Sequence, residues 1–219
     1  MVQLVSLLAL SFAGAAIASP VINIEERQNS GDNVTFAVTG VKYSGEGCPQ
    51  GTLVGNLDND GNFEVLYKAL DASIKPKQPK VKVKCRIEVD VQTNADTQLV
   101  ILRYRENSSI PPSGTYRGHV RLTEGAWAKN QNQYKFANNP DSTDMEWTFK
   151  GPTDLATSFT NTLSTEFQSG CNSNGGRFTL IINNYLTLTT EGTGEGEISV
   201  TELDGAVKQS IKLITKRCS

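Results

Sequence analysis

Val81-Lys82-Val83-Lys84-Cys85-Arg86-Ile87-Glu88-Val89-Asp90-Val91 is the stretch that decides the fold class. Every odd position is apolar or cysteine, and every even position is charged. Successive side chains of an extended backbone point to opposite faces. The segment therefore reads as a strand with one face buried and one face in water, as in an antiparallel sheet covering a core. Cys85 falls on the buried face.

The same period of two recurs on both sides. Upstream lie Val34, Phe36, Val38 and Val41, then Leu53-Val54 and Phe63-Glu64-Val65-Leu66-Tyr67 around the turn Asn59-Asp60-Gly61-Asn62. Asp-Gly between apolar runs signals a hairpin, because both residues tolerate positive φ. The turn also resembles the start of a calcium loop, but the later ligands are out of register. Downstream come Gln98 to Arg105, the breaker Pro111-Pro112-Ser113-Gly114, and Tyr116, Gly118, Val120 and Leu122 alternating with Arg117, His119 and Arg121. Met145 to Phe149 is a short strand closed by Gly151-Pro152. Asp154 to Phe167 is ambiguous: Phe159, Leu163 and Phe167 suit a helix capped by Asp154, while its Thr and Ser favour a strand. Phe178 to Thr189, Ile198 to Leu203 and Val207 to Ile214 follow, with Asp204-Gly205 as a second hairpin turn. About ten short strands and no long helix predict an all-β, antiparallel, jelly-roll-like β-sandwich.

The chain has 219 residues. Met1 to Ala18 carries no charged side chain, has an apolar core, and ends Ala16-Ile17-Ala18, a cleavage pattern. It reads as a secretory signal peptide. Its apolar run is shorter than the roughly 20 residues of a membrane span. Residues 19–32 are expected to be a flexible lead, with a short propeptide ending at Arg27 as a variant. Residues 33–219 form one domain, since sandwiches of about 200 residues are common. The expected location is secreted and extracellular, with no membrane span.

Net charge is −2, so the broadly basic surface that favours nucleic acid is missing and no nucleic-acid partner is expected. The lysines of the segment Lys75 to Lys84 read as a solvated loop and strand face. Cys48, Cys85, Cys171 and Cys218 are the four cysteines. An even number in an oxidising compartment implies two disulfides. Three pairings are possible, and Cys48–Cys85 with Cys171–Cys218 is favoured because each joins a strand lead-in to a nearby strand. Thiolate metal ligation fits poorly, as no C-x-x-C pair occurs and there is one histidine. No metal and no cofactor is implied. Asn33-Val34-Thr35 and Asn107-Ser108-Ser109 are glycosylation sequons.

Val41-Lys42-Tyr43-Ser44-Gly45-Glu46-Gly47-Cys48-Pro49-Gln50-Gly51, the Cys85 strand, Tyr116-Arg117-Gly118-His119-Val120, Cys171 with Leu180-Ile181-Ile182-Asn183, and the terminal Cys218 occur in one order. That order resembles a family of uncharacterised secreted proteins, mostly fungal, known as domain of unknown function 4360 (DUF4360). The resemblance runs from about Phe36 to Cys218. One departure is that Lys216 and Arg217 precede the last cysteine, where the family often has Trp. The resemblance implies secretion and a β fold, and brings no catalytic residues.

A Ser-His-Asp site would have to use His119. It sits between Arg117 and Arg121 on the wet face, where two cations would disfavour the imidazolium, and it reads as an ordinary strand residue. Glu64, Glu88, Asp90, Glu106, Glu124, Asp144 and Glu146 could supply a glycosidase pair, although each reads as a solvent-face residue. Trp127, Tyr134 and Phe136, amid Asn130, Gln131, Asn132, Gln133, Asn138 and Asn139, form the candidate binding region: rings to pack on sugars, amides to bond their hydroxyls. Trp147 reads as core. No catalytic residue is assigned. The expected function is a non-catalytic secreted protein binding cell-wall glycan or an extracellular protein. The alternatives are a polysaccharide hydrolase or lyase with a carboxylate pair, and a secreted inhibitor or effector.

Overall fold

The computed structural model describes residues 36–57, 62–94, 96–101, 114–161, 166–171, 176–200 and 208–218. The signal peptide, the lead segment, both sequons, Glu106 and the two Asp-Gly turns lie outside these residues. In chain order the strands are β1 (Phe36–Ser44), β2 (Leu53–Leu57), β3 (Asn62–Tyr67), β4 (Asp71–Ile74), β5 (Lys80–Thr93), β6 (Thr97–Ile101) and β7 (Gly114–Leu122). They continue with β8 (Ala126–Phe136), β9 (Ser142–Lys150), β10 (Thr153–Asn161), β11 (Phe167–Gln168), β12 (Arg177–Thr190), β13 (Gly196–Ser199) and β14 (Lys208–Arg217). No helix occurs among the described residues. The ambiguous stretch is strand over Asp154–Asn161 and again at Phe167, as its β-branched content favours, while Leu163 lies outside the described residues.

The strands form three antiparallel sheets, ordered β1-β5-β12-β8-β9, β10-β7-β13-β4 and β11-β6-β14-β3-β2. Their apolar faces meet in one core. Ile87, Val89 and Val91 of β5 and Leu180, Ile182 and Leu186 of β12 face Phe63, Val65, Leu99, Ile101, Val120, Ile198 and Leu213 from the other two sheets. This is the sandwich that the alternation predicts. At Gly151-Pro152, a cis peptide, the chain leaves the first sheet and β10 pairs with β7 in the second.

One sequence expectation is corrected here. Asp204-Gly205 was expected to close a hairpin between the last two strands. Instead β13 lies between β7 and β4, and β14 lies between β6 and β3. β13 has both edges taken, and β14 pairs along its first half with β3 and along its second with β6, so the two belong to different sheets and do not pair with each other. Local turn chemistry cannot see long-range partners competing for the same edges.

Both favoured disulfides form. Cys48–Cys85 ties the β1–β2 connection to the middle of β5, and Cys171–Cys218 ties the segment after β11 to the end of β14. The close packing around the first explains the glycine before Cys48. A Cβ on Gly47 would stand 2.6 Å from Leu70 Cδ1 and 2.7 Å from Val83 Cγ1.

The core carries a polar knot. Strand β8 points Asn130, Asn132 and Tyr134 inward, and β12 adds Asn184, all at 1% exposure or less. Asn184 Nδ2 donates to the Tyr67 hydroxyl, and Asn132 Nδ2 donates to Asn130 Oδ1 at 3.1 Å. Asn130 Nδ2 and Asn132 Oδ1 have no partner. Burial pushes the Tyr67 phenol well above the usual tyrosine range; nearby Tyr134 adds to this, and the Asn184 hydrogen bond opposes it.

Candidate functional site

The pleat of β8 decides which of the candidate residues can meet a ligand. Its even positions, from Ala126 to Phe136, are all buried, and its odd positions are half-exposed. Tyr134 and Phe136 are fully buried and offer no ring face to solvent; Phe136 stacks on Phe167 at 5.4 Å. They are corrected from binding residues to core residues. Trp127 stands on the outer face, half-buried. Trp147 packs against the core from β9, as expected.

The outer face of the β1-β5-β12-β8-β9 sheet is organised by register into rows across four strands. Arg86, Asn183, Gln133 and Asp144 form one row. The next holds Lys84, Tyr185, Gln131 and Glu146, and then come Lys82, Thr187, Lys129 and Thr148. Lys80, Thr189, Trp127 and Lys150 form the last. Tyr185 was not singled out from sequence. It sits in the apolar run of β12, and only the strand's phase turns it outward.

Two aromatic rings thus share one hydrophilic face. Gln131 lies beside Tyr185 and four residues along β8 from Trp127, so the two rings are about 14 Å apart at 3.4 Å per residue. Lys82 Nζ sits 4.2 Å and Lys84 Nζ 5.6 Å from the Tyr185 ring centre, a cation–π arrangement. Asn183, 3% exposed, donates Nδ2 to Gln133 Oε1 at 3.3 Å, and its Oδ1 has no partner.

Among the described residues, the carboxylates singled out from sequence are mostly held by other partners. Glu88 pairs with Arg86 at 2.7 Å, and Asp90 accepts from Thr179 Oγ1 at 2.7 Å and faces Lys42 at 3.5 Å. Asp144 and Glu146 lie three strands away, about 14 Å at 4.8 Å per strand, beyond the roughly 5–10 Å of a glycosidase pair. Between themselves Asp144 and Glu146 are near neighbours on an edge strand. Both are exposed, and Glu146 pairs with Lys129. That is not the apolar setting that keeps a general acid protonated. Glu64 is on β3 of another sheet, and Glu124 is exposed in the turn before β8.

His119 stands on the outer face of the four-stranded sheet, and its surroundings differ from the sequence expectation. Its Nε2 lies 2.7 Å from Asp154 Oδ1 and its Nδ1 3.9 Å from Glu197 Oε1. Arg121, one of the two cations expected to oppose an imidazolium, turns its Nε to Glu197 at 3.6 Å. Carboxylates thus reach the ring from the strands on both sides. Ser199 is its register partner on β13. The side chain of Asp154 is 69% exposed, whereas a nucleophilic triad buries the carboxylate that orients its histidine. No group of three His, Cys, Asp or Glu side chains is placed to hold a metal ion among the described residues. The large exposed apolar side chains there are Val54 and Leu155, on different sheets, which make no joint patch.

An uncharacterized secreted protein of Arthroderma benhamiae is 26% identical over 227 residues, covering 95% of this chain and 85% of its own. Among solved structures, TmCBM61 in complex with β-1,4-galactotriose covers 82% of this chain and 90% of its own, with 9% identity and a TM-score of 0.26. A likeness that low carries no argument about fold or ligand. The disulfides form in an oxidising compartment and the Arthroderma relative is secreted, so the protein is a secreted one. The family model described as domain of unknown function (DUF4360) matches residues 34–218, and the chain belongs to that family.

Proposed function

We propose that this secreted protein is a non-catalytic glycan-binding module, and that its binding face is the outer surface of the β1-β5-β12-β8-β9 sheet. The observation that carries the reading is the pair of half-exposed rings, Trp127 and Tyr185, on one face with Gln131 beside Tyr185. Sugar rings are amphipathic: their C–H faces pack on aromatic rings and their hydroxyls bond to amides. Trp and Tyr suit such contacts because each joins an apolar body to a polar tip. The Gln131 and Gln133 amides offer both donors and acceptors. A fixed strand register keeps these groups in place without the ligand having to order a loop, which lowers the entropic cost of binding.

The test is a pull-down on insoluble cell-wall polysaccharide with wild type, Trp127→Ala, Tyr185→Ala and the double variant. Each single variant should be retained about ten- to hundredfold less, the effect of losing one aromatic anchor at roughly 1–3 kcal/mol. Equal retention of the double variant, with its circular dichroism unchanged, rejects this face.

A further inference from the structure

We infer that the face selects acidic glycans, those carrying carboxylate or other anionic groups along the chain; this rests on the glycan reading above and names its ligand class. The two rows that hold the rings and the row between them also hold Lys80, Lys82, Lys84, Lys129 and Lys150, against Glu146 alone within the rows and Glu46 at their edge, which accepts from the Lys84 backbone N at 3.0 Å. Glu146 is already committed to Lys129. Among the described residues, no carboxylate lies within ion-pair distance of Lys80, Lys82, Lys84 or Lys150. Toward the other end of the same face the charges come closer to balance: Lys42, Arg86, Lys135 and Arg177 stand with Glu88, Asp90 and Asp144, and Arg86 pairs with Glu88 and Lys42 with Asp90.

The patch is local, since the whole chain has a net charge of −2. Lys82 and Lys84 rest over Tyr185 instead of reaching for a carboxylate. Aromatic ring and cations are therefore held in one place: a sugar ring docking on Tyr185 or Trp127 would bring its acidic group among ammonium groups that lack a counter-charge. Trp127 lies between Lys150 on β9 and, two strands the other way, Lys80 on β5, so a chain crossing the strands meets cations on both sides of the ring. A lipid surface fits less well. The large exposed apolar residues Val54 and Leu155 are on other sheets, and threonines fill the gaps between these lysines. Threonine hydroxyls and glutamine amides suit a hydroxyl-rich polymer.

The test uses the secreted protein with polygalacturonate and the same polymer fully methyl-esterified, which keeps the sugar and removes the charge. Double-stranded DNA and phosphatidylserine vesicles serve as other polyanions. Polygalacturonate should bind at least about tenfold more tightly than the ester at 0.1 M salt and lose that margin near 1 M, where the screening length falls to about 3 Å. Lys82→Gln with Lys84→Gln should weaken polygalacturonate binding about 25-fold, roughly fivefold for each exposed charge, and make the binding that remains less sensitive to salt. Equal, salt-insensitive binding of acid and ester overturns the acidic selection while sparing the glycan reading. Binding to neither polymer overturns the glycan reading and the inference together. Tighter capture by DNA or vesicles than by polygalacturonate overturns the inference in favour of that partner.

Discussion

The Asn130–Asn132 pair in the core should show opposite signs for single and double replacement. Asn132 Nδ2 donates to Asn130 Oδ1 at 3.1 Å, and this leaves Asn130 Nδ2 and Asn132 Oδ1 buried without partners. Leucine shares the branch at Cγ, so Asn→Leu changes polarity with little change of shape. Asn130→Leu removes one orphaned atom but orphans Asn132 Nδ2; Asn132→Leu does the converse at Asn130 Oδ1. The number of orphans stays the same while one hydrogen bond is lost, so each single variant should be about 1 kcal/mol less stable. The double variant removes both orphans and the bond. Two unpaired buried atoms at about 1–3 kcal/mol each, less the bond at about 1, leave a gain of about 2 kcal/mol. That corresponds to a rise in Tm of roughly 4–8 °C for a domain of this size. Urea unfolding of the four proteins, with m held constant, measures all four corners of the cycle. If the double variant is no more stable than wild type, the reasoning fails. The amides are then satisfied by an ordered buried water, which typically makes about three hydrogen bonds.

Two further outcomes follow from the same structure. The disulfides span 37 and 47 residues, so loop entropy gives each about 4 kcal/mol; Cys48 and Cys85 are buried while Cys171 is exposed, so mild reductant followed by alkylation and mass analysis should label Cys171 and Cys218 first. The Tyr67 phenol is held above its usual range by burial, so its contribution to stability is full below about pH 10, the unfolded value, and is lost as pH rises toward the folded one. Urea melts between about pH 9 and 11 should show wild type losing stability more steeply than Tyr67→Phe, by up to about 1.4 kcal/mol per pH unit. Parallel slopes would contradict it.

Strand β5 was legible because every odd residue from Val81 to Val91 faces one core and every even residue faces water. Strand β8 was not, although it alternates just as strictly between buried and half-exposed. Its inward positions include Asn130 and Asn132, so polarity no longer reports burial, and Ala126-Trp127-Ala128 followed by amides reads as a polar loop. That one misread phase explains the error at the candidate site. Tyr134 and Phe136 share the parity of Ala126 and Ala128 and must point inward with them, while Trp127 has the other parity and points out. The remaining half of the site could not be read locally at all. Lys82 and Lys84 acquire meaning only beside Tyr185, about a hundred residues later, and Tyr185 only beside Gln131. Likewise His119 stands between arginines in its own strand and meets carboxylates only through Asp154 and Glu197 from the neighbouring strands. In an antiparallel sandwich the surface neighbours of a residue come mostly from other strands, and register chooses them. Period two tells which side chains reach the surface; the site itself is written in the pairing of β5, β12, β8 and β9.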